Sequence, residues 1–155
     1  MKKQTKKVVI GGTFEVLHKG HLALLKKAFG LGRVSVGLTS DIMVKKMKNR
    51  TAEKFALRKK ELAKLIKEKF KAKPIIKKIE DKFGFAVREN FDYIIVSPET
   101  YHTAVLINKA REDKNKKLIE IVEVGFVLAE DGKPMSSTRI LNGEIDKTGK
   151  LLKLV

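Results

Sequence analysis

The sequence predicts a doubly wound, Rossmann-like α/β fold: a five-stranded, mainly parallel sheet with helices on both faces. Two observations carry this expectation. Short, almost continuous apolar runs alternate with longer stretches whose apolar residues recur at helical spacing, as βαβ units with buried strands require. With 155 residues, 43% of them hydrophobic, the chain is sized for a single packed domain spanning residues 1–155.

The elements follow in order. Val8-Val9-Ile10 reads as a buried strand that runs into Gly11-Gly12. From Gly20 to Phe29 the residues Leu22, Leu24, Leu25, Ala28 and Phe29 keep helical spacing, and Gly30 and Gly32 end the helix. Val34 to Leu38 is the second strand, after which Ser40 or Asp41 caps a short helix through Met47. Phe55, Leu62, Ile66 and Phe70 share one face of a long helix from Glu53 to Phe70. Pro74-Ile75-Ile76 begins a third strand, and Tyr93 to Val96 is the fourth. Pro98 starts a helix that reaches Arg111, since proline suits a first helical position. Leu118 to Val124 is the fifth strand. Asp131-Gly132 makes a turn, and Ser136 or Ser137 caps a last short helix that Gly143 stops. In such sheets ligands lie beyond the carboxyl ends of the strands, so polar residues just after strands are the functional candidates.

Composition narrows the function. Cysteine is absent, which excludes disulfides, thiolate metal sites and cysteine nucleophiles. No apolar stretch is long enough for a membrane span, and the basic start is followed by too short an apolar run for a signal peptide. A soluble, cytoplasmic protein is expected. The formal charge is +17. Such a charge suits nucleic acid, an anionic membrane, polyanionic small substrates or a lysine-rich solvated surface. A nucleic-acid-binding module is the rival from another class. With 6% aromatic residues, no Trp and no basic-aromatic interleaving, neither specific nucleic-acid binding nor membrane binding is expected.

The chemistry concentrates after the first strand. Two of the three histidines, His18 and His21, stand three apart at the start of a helix, so their rings share one face. A helix N-terminus suits phosphate. Gly11 and Gly12 allow a sharp turn and close backbone approach, and Gly20 keeps a side chain away from the rings. Nothing nearby completes a zinc ligand set, so the pattern is read as a phosphate site with no metal held by the protein.

Gly12-Thr13-Phe14 with His18-Lys19-Gly20-His21 resembles the signature of the H-x-G-H nucleotidyltransferase superfamily. Met135-Ser136-Ser137-Thr138 resembles that superfamily's second signature, I-S-S-T-x-x-R, and Gly37 to Asp41 followed by lysines is similar to its second strand exit. Val96-Ser97-Pro98-Glu99-Thr100 and Asn108-x-x-Arg111 resemble one branch, the phosphopantetheine adenylyltransferases of archaeal and eukaryotic type. The resemblance runs from Lys7 to Asp146.

It implies adenylyl transfer from ATP to 4′-phosphopantetheine, giving dephospho-CoA and pyrophosphate in coenzyme A biosynthesis. His18, His21 and a lysine after the second strand are the implied catalytic residues, with Lys45 preferred over Lys46 and Lys48. The implied nucleotide-binding residues are Gly11, Gly12, Thr13, Phe14, Gly20, Ser97, Thr100, Ser136, Ser137 and Thr138. Thr13 and Arg111 are the implied acceptor contacts. Asp41 either caps its helix or orients a ligand. Mg²⁺ is expected to arrive with ATP, and a monomer is expected. Cytidylyltransferases and FMN adenylyltransferases carry the same end motifs and are the nearest alternatives. Lys133 to Ser137 is also similar to the second motif of class I aminoacyl-tRNA synthetases, but this length leaves no room for an anticodon-binding part.

The chain departs from the pattern at two places, the first being Met135 where the motif has isoleucine. The motif arginine falls at Leu141. Arg139 cannot stand in, because two helical residues differ by about 200° in direction. A lysine among Lys45 to Lys48 is expected to compensate from across the cleft.

Overall fold

The computed structural model describes residues 5–152. Along the chain run β1 (Lys7–Gly12), α1 (Lys19–Leu31), β2 (Arg33–Thr39), α2 (Asp41–Lys48), α3 (Phe55–Phe70), β3 (Ile75–Ile79), β4 (Tyr93–Val96), α4 (Tyr101–Asp113), β5 (Glu120–Glu123) and α5 (Ser137–Leu141). The strands form one sheet in the order β3-β2-β1-β4-β5. Every pairing in it is parallel. The antiparallel bridges Leu128–Pro134 and Ile145–Leu151 lie outside the sheet.

Strand alternation explains the two layers. On β1, Val8 and Ile10 point to the face covered by α1 and α3, where Leu25, Ala28, Leu62 and Ile66 are buried. Val9 points to the other face, against Ala104 and Ile107 of α4, Met43 of α2 and the Phe83–Phe91 segment. A strand buried on both sides must be apolar without interruption, which is why Val8-Val9-Ile10 carried so clear a signal. The strand order reverses between β1 and β4, so the crevice expected of this fold opens at their carboxyl ends.

Several boundaries move for local reasons. The helix expected at Pro98 begins at Tyr101, because Ser97 to Thr100 closes a turn in which the Thr100 hydroxyl oxygen accepts the Ser97 N–H at 3.1 Å. The fifth strand contracts to Glu120–Glu123. Ahead of it the Asn108 side chain brackets Ile119, donating to its C=O and accepting its N–H, both at 2.8 Å. The long helix starts at Phe55, whose N–H goes to Asp41 Oδ1. Ser40, not Asp41, caps α2, its hydroxyl accepting the Met43 N–H at 3.1 Å. Among the described residues no helix is long and apolar enough to cross a membrane.

Candidate active site

A cavity of about 510 Å³ opens at the carboxyl ends of β1 and β4. Its walls bring together segments far apart in sequence: Thr13, His18 and His21; Lys48; Ser97 and Thr100; the Val124–Val127 loop; and Ser136 to Thr138.

The histidine pair is built by helix capping. His18 is the N-cap of α1, and its Nδ1 accepts the Gly20 N–H at 3.0 Å. His21 Nδ1 accepts the His18 N–H at 3.2 Å. The two rings tilt together with centroids 4.0 Å apart. Both Nδ1 atoms act as acceptors, so a neutral ring must carry its proton on Nε2. The rings are held neutral. Burial first, then the Lys48 charge, lowers His18 to about 4. Burial, then His18 and Lys48, lowers His21 to about 3. The result is two fixed N–H donors in a cleft wall. Gly20 is required by packing, since a Cβ there would sit 2.7 Å from His18 Cε1.

The loop before the histidines is held from below by Arg58, which sequence reasoning missed. Arg58 is 1% exposed. Its guanidinium donates to the Thr13 C=O at 3.1 Å, to Thr39 Oγ1 at 3.3 Å and to Asp41 at 2.9 Å. Thr39 in turn donates to Thr13 Oγ1 at 3.1 Å. Thr13 therefore keeps its own proton for the cleft. Asp41 serves this arginine and the start of α3; it does not cap α2, and it does not line the cleft. The sharp turn falls at Phe14, which has φ 47. It does not fall at the glycines, which continue β1.

Of the three candidate lysines, Lys48 lines the cleft. Lys45 and Lys46 are exposed on α2. The preference for Lys45 is thus corrected: all three lysines stand in the last turn of α2, and of these Lys48 is the one on the side that faces the cleft. Burial lowers the Lys48 pKa, offset in part by Glu15. Glu15 is a second residue the sequence reading missed. Its side chain is 2% exposed, and it pairs with both guanidinium ends of Arg50, at 2.8 and 2.7 Å. Lys48 Nζ stands 3.9 Å from the same carboxylate. The Arg50 hydrogen bond holds the Glu15 carboxyl below its usual range.

The last motif divides by role. Ser136 caps α5, its oxygen accepting the Arg139 N–H at 3.1 Å. The Ser137 hydroxyl is engaged twice by Val16, donating to its C=O at 3.0 Å and accepting its N–H at 3.3 Å. Ser137 therefore clasps the two motifs together, and its proton is not free for phosphate. Thr138 lines the cleft, and its oxygen accepts from Arg50 at 3.4 Å. Arg139 turns away to Asp131 and Glu144, as helical geometry requires.

Three further expectations change. Gly11 opens onto a neighbouring apolar cavity instead of the polar cleft. Phe14 is 3% exposed and packs beneath His21, with ring centroids 5.2 Å apart. Its side chain supports the site from the core. Gly12 makes room for that ring. Arg111 is fully buried. It donates to the C=O groups of Lys117, Ala86, Val87 and Glu89 and to the Asn90 side chain. All five acceptors lie in the segments before β4 and β5, and Arg111 lines neither the polar cleft nor the apolar cavity beside it, so it holds the fold and does not reach into the site.

The neighbouring cavity holds about 160 Å³. It shares Gly12, Met47 and Thr100 with the polar cleft. Ile79, Phe83, Phe85, Ala104 and Ile107 give it an apolar lining. The site thus has two lobes, one polar and one apolar.

Comparison with known proteins agrees with this geometry. A family model described as cytidylyltransferase-like matches residues 9–143. The phosphopantetheine adenylyltransferase of Methanosarcina barkeri is 49% identical over 152 residues, covering 95% of this chain and 93% of that protein. The phosphopantetheine adenylyltransferase of Archaeoglobus fulgidus is 43% identical over 148 residues, covering 94% and 99%. Among solved structures, a protein of unknown function from Archaeoglobus fulgidus superposes with TM-score 0.73 at 39% identity, over 76% of this chain and 88% of that one. A pantoate-beta-alanine ligase from Francisella tularensis, 17% identical, shares the fold with TM-score 0.59 over 92% and 67%.

Proposed function

The chain belongs to the cytidylyltransferase-like family, among its phosphopantetheine adenylyltransferases, and we propose from that premise how its residues carry the reaction. The activity is transfer of the adenylyl group of ATP to 4′-phosphopantetheine, releasing pyrophosphate and forming dephospho-CoA.

The attacking group is a phosphate oxygen, already anionic, so no strong general base is needed. One P–O bond forms at the α-phosphorus as the bond to the pyrophosphate oxygen breaks. The protein's work is to align the two ends and to stabilise charge on the α-phosphoryl oxygens and the departing pyrophosphate. The Nε2–H groups of His18 and His21 donate to that charge. Being neutral and fixed by their own backbone bonds, they reorganise little as the charge develops. Lys48 supplies a positive charge beside the two rings. Thr13 donates to the incoming phosphate, and Ser136 and Thr138 hold the far end of the triphosphate. Ser97 and Thr100, at the exit of β4, border the nucleotide. Bound magnesium would neutralise phosphate charge. Two carboxylates line the cleft; Glu15 is engaged by Arg50 and Lys48, so Glu99 is the residue that would help phosphate oxygens and water to hold the ion.

The apolar lobe beside the polar cleft is the observation that supports this acceptor. A phosphate on a long arm with a gem-dimethyl group and an ethanethiol end can place apolar parts in this lobe; a small alcohol phosphate leaves it unused. Thermal stabilisation by acceptors of different length tests this. Phosphopantetheine should raise Tm more than glycerol phosphate at equal concentration. Equal shifts would remove the support.

A further inference from the structure

We infer that Arg50 supplies the cation that the last motif lacks at Leu141, binding the phosphate end of ATP beside Thr138, and that Glu15 is the residue that positions it. The inference rests on the adenylyl-transfer reading. Three observations meet here. First, Thr138 and position 141 are three apart on α5 and share a helix face. An arginine at 141 would emerge beside Thr138. Second, Arg50 reaches that place from another element. Its Nη2 stands 3.4 Å from Thr138 Oγ1, and Arg50 and Leu141 line the same depression next to the cleft. Third, the guanidinium is aimed. Glu15 takes one N–H from each terminal nitrogen at 2.8 and 2.7 Å, and that carboxylate is itself almost fully covered.

A two-point pair fixes the guanidinium plane and leaves donors over. The remaining Nη2 hydrogen points toward Thr138, a residue of the cleft wall. Thr138 accepts that bond and keeps its own proton to donate. A phosphate oxygen between the two would take one bond from each. The Lys48 ammonium, beside the same Glu15, belongs to the wall nearer the histidines. The expected compensation by a lysine is therefore reassigned to Arg50, two residues beyond α2.

The test is suppression. Arg50→Ala should lower kcat/KM for ATP about tenfold to a hundredfold, the worth of one charge-assisted phosphate contact. Leu141→Arg should leave the parent enzyme's activity unchanged, and in the Arg50→Ala background it should recover most of the loss. Arg50→Ala leaves the covered Glu15 with Lys48 at 3.9 Å as its remaining ion-pair partner, so a Glu15→Gln/Arg50→Ala double variant, free of that poorly compensated charge, repeats the measurement if the single variant unfolds. Equilibrium binding of ATP, read by titration calorimetry without acceptor, should weaken and recover in parallel. Unchanged ATP affinity in folded Arg50 variants overturns the inference, and so does loss without recovery by Leu141→Arg. Absence of dephospho-CoA with the parent enzyme would instead overturn the activity reading, while the ATP titrations would still decide the role of Arg50.

Discussion

His21 caps the helix that His18 begins: its Nδ1 accepts the His18 backbone N–H at 3.2 Å, while His18 Nδ1 accepts the Gly20 N–H at 3.0 Å. The backbone thereby dictates the tautomer of both rings, and each presents Nε2–H to the cleft. A motif that reads as catalytic is also the motif that starts α1.

His18→Ala and His21→Ala should each lower kcat by about a hundredfold or more, since a lost transition-state donor costs roughly 3 kcal/mol. Each also loses a cap worth about 1 kcal/mol, so a slightly lower Tm should accompany the loss. His102, exposed on α4, is the control, and His102→Ala should be neutral. Steady-state kinetics with circular dichroism on the three variants checks this. Equal damage at His102 would remove the special standing of the pair.

Stability should depend on pH in a defined window. The folded values are about 4 for His18 and about 3 for His21, against about 6.5 unfolded. Between these limits the unfolded chain binds more protons, so stability rises with pH. The histidine contribution is fully present above about 6.5 and is lost progressively as pH falls toward the folded values. Urea unfolding from pH 4 to 8 should show this slope, and His18→Ala should flatten it. A slope that survives removal of both rings would assign it elsewhere.

Lys48→Ala should reduce kcat/KM by about tenfold or more, the scale of one charge-assisted contact, whereas Lys45→Ala should stay near the parent value. The ordering is what matters. Greater damage from Lys45→Ala would mean that α2 rotates when substrate binds.

Arg111→Ala should destabilise the fold and spare the chemistry. It strands the buried carbonyl groups of Ala86 and Val87 and the half-buried one of Glu89, and one unsatisfied buried group alone costs about 1–3 kcal/mol. A loss of about 3 kcal/mol or more, and a Tm lower by about 10 °C, is expected. The KM for phosphopantetheine, measured well below that Tm, should not change. A raised KM with unaltered Tm would restore Arg111 to the acceptor site.

These contrasts show what a linear sequence carries. The first strand, the histidine pair and the first helix were legible because their determinants lie within one turn or one strand of each other. Val8-Val9-Ile10 is apolar because both its faces are covered, and His18 and His21 cap the helix they open. Arg58, Glu15 and Arg50 left no local signal. Arg58 reaches Thr13 across 45 positions and Arg50 reaches Glu15 across 35. Arg111 misled for the opposite reason. A cation near a helix end has a local explanation in the dipole and a motif to suggest a ligand, whereas what holds it is a set of carbonyl groups from the turns around Ala86 to Asn90. Ser137 misled likewise, since its clasp on Val16 spans 121 positions.

The central claim is that two neutral histidines and a two-lobed cleft move an adenylyl group onto a phosphate carried by a long arm. Its most direct test is to incubate the protein with ATP, magnesium and 4′-phosphopantetheine and to follow products by mass. The account predicts dephospho-CoA and pyrophosphate in equal amounts, with both products reduced together in His18→Ala. Turnover of a small alcohol phosphate with CTP in place of this reaction, or no nucleotidyl transfer to phosphopantetheine by the folded protein, would contradict it.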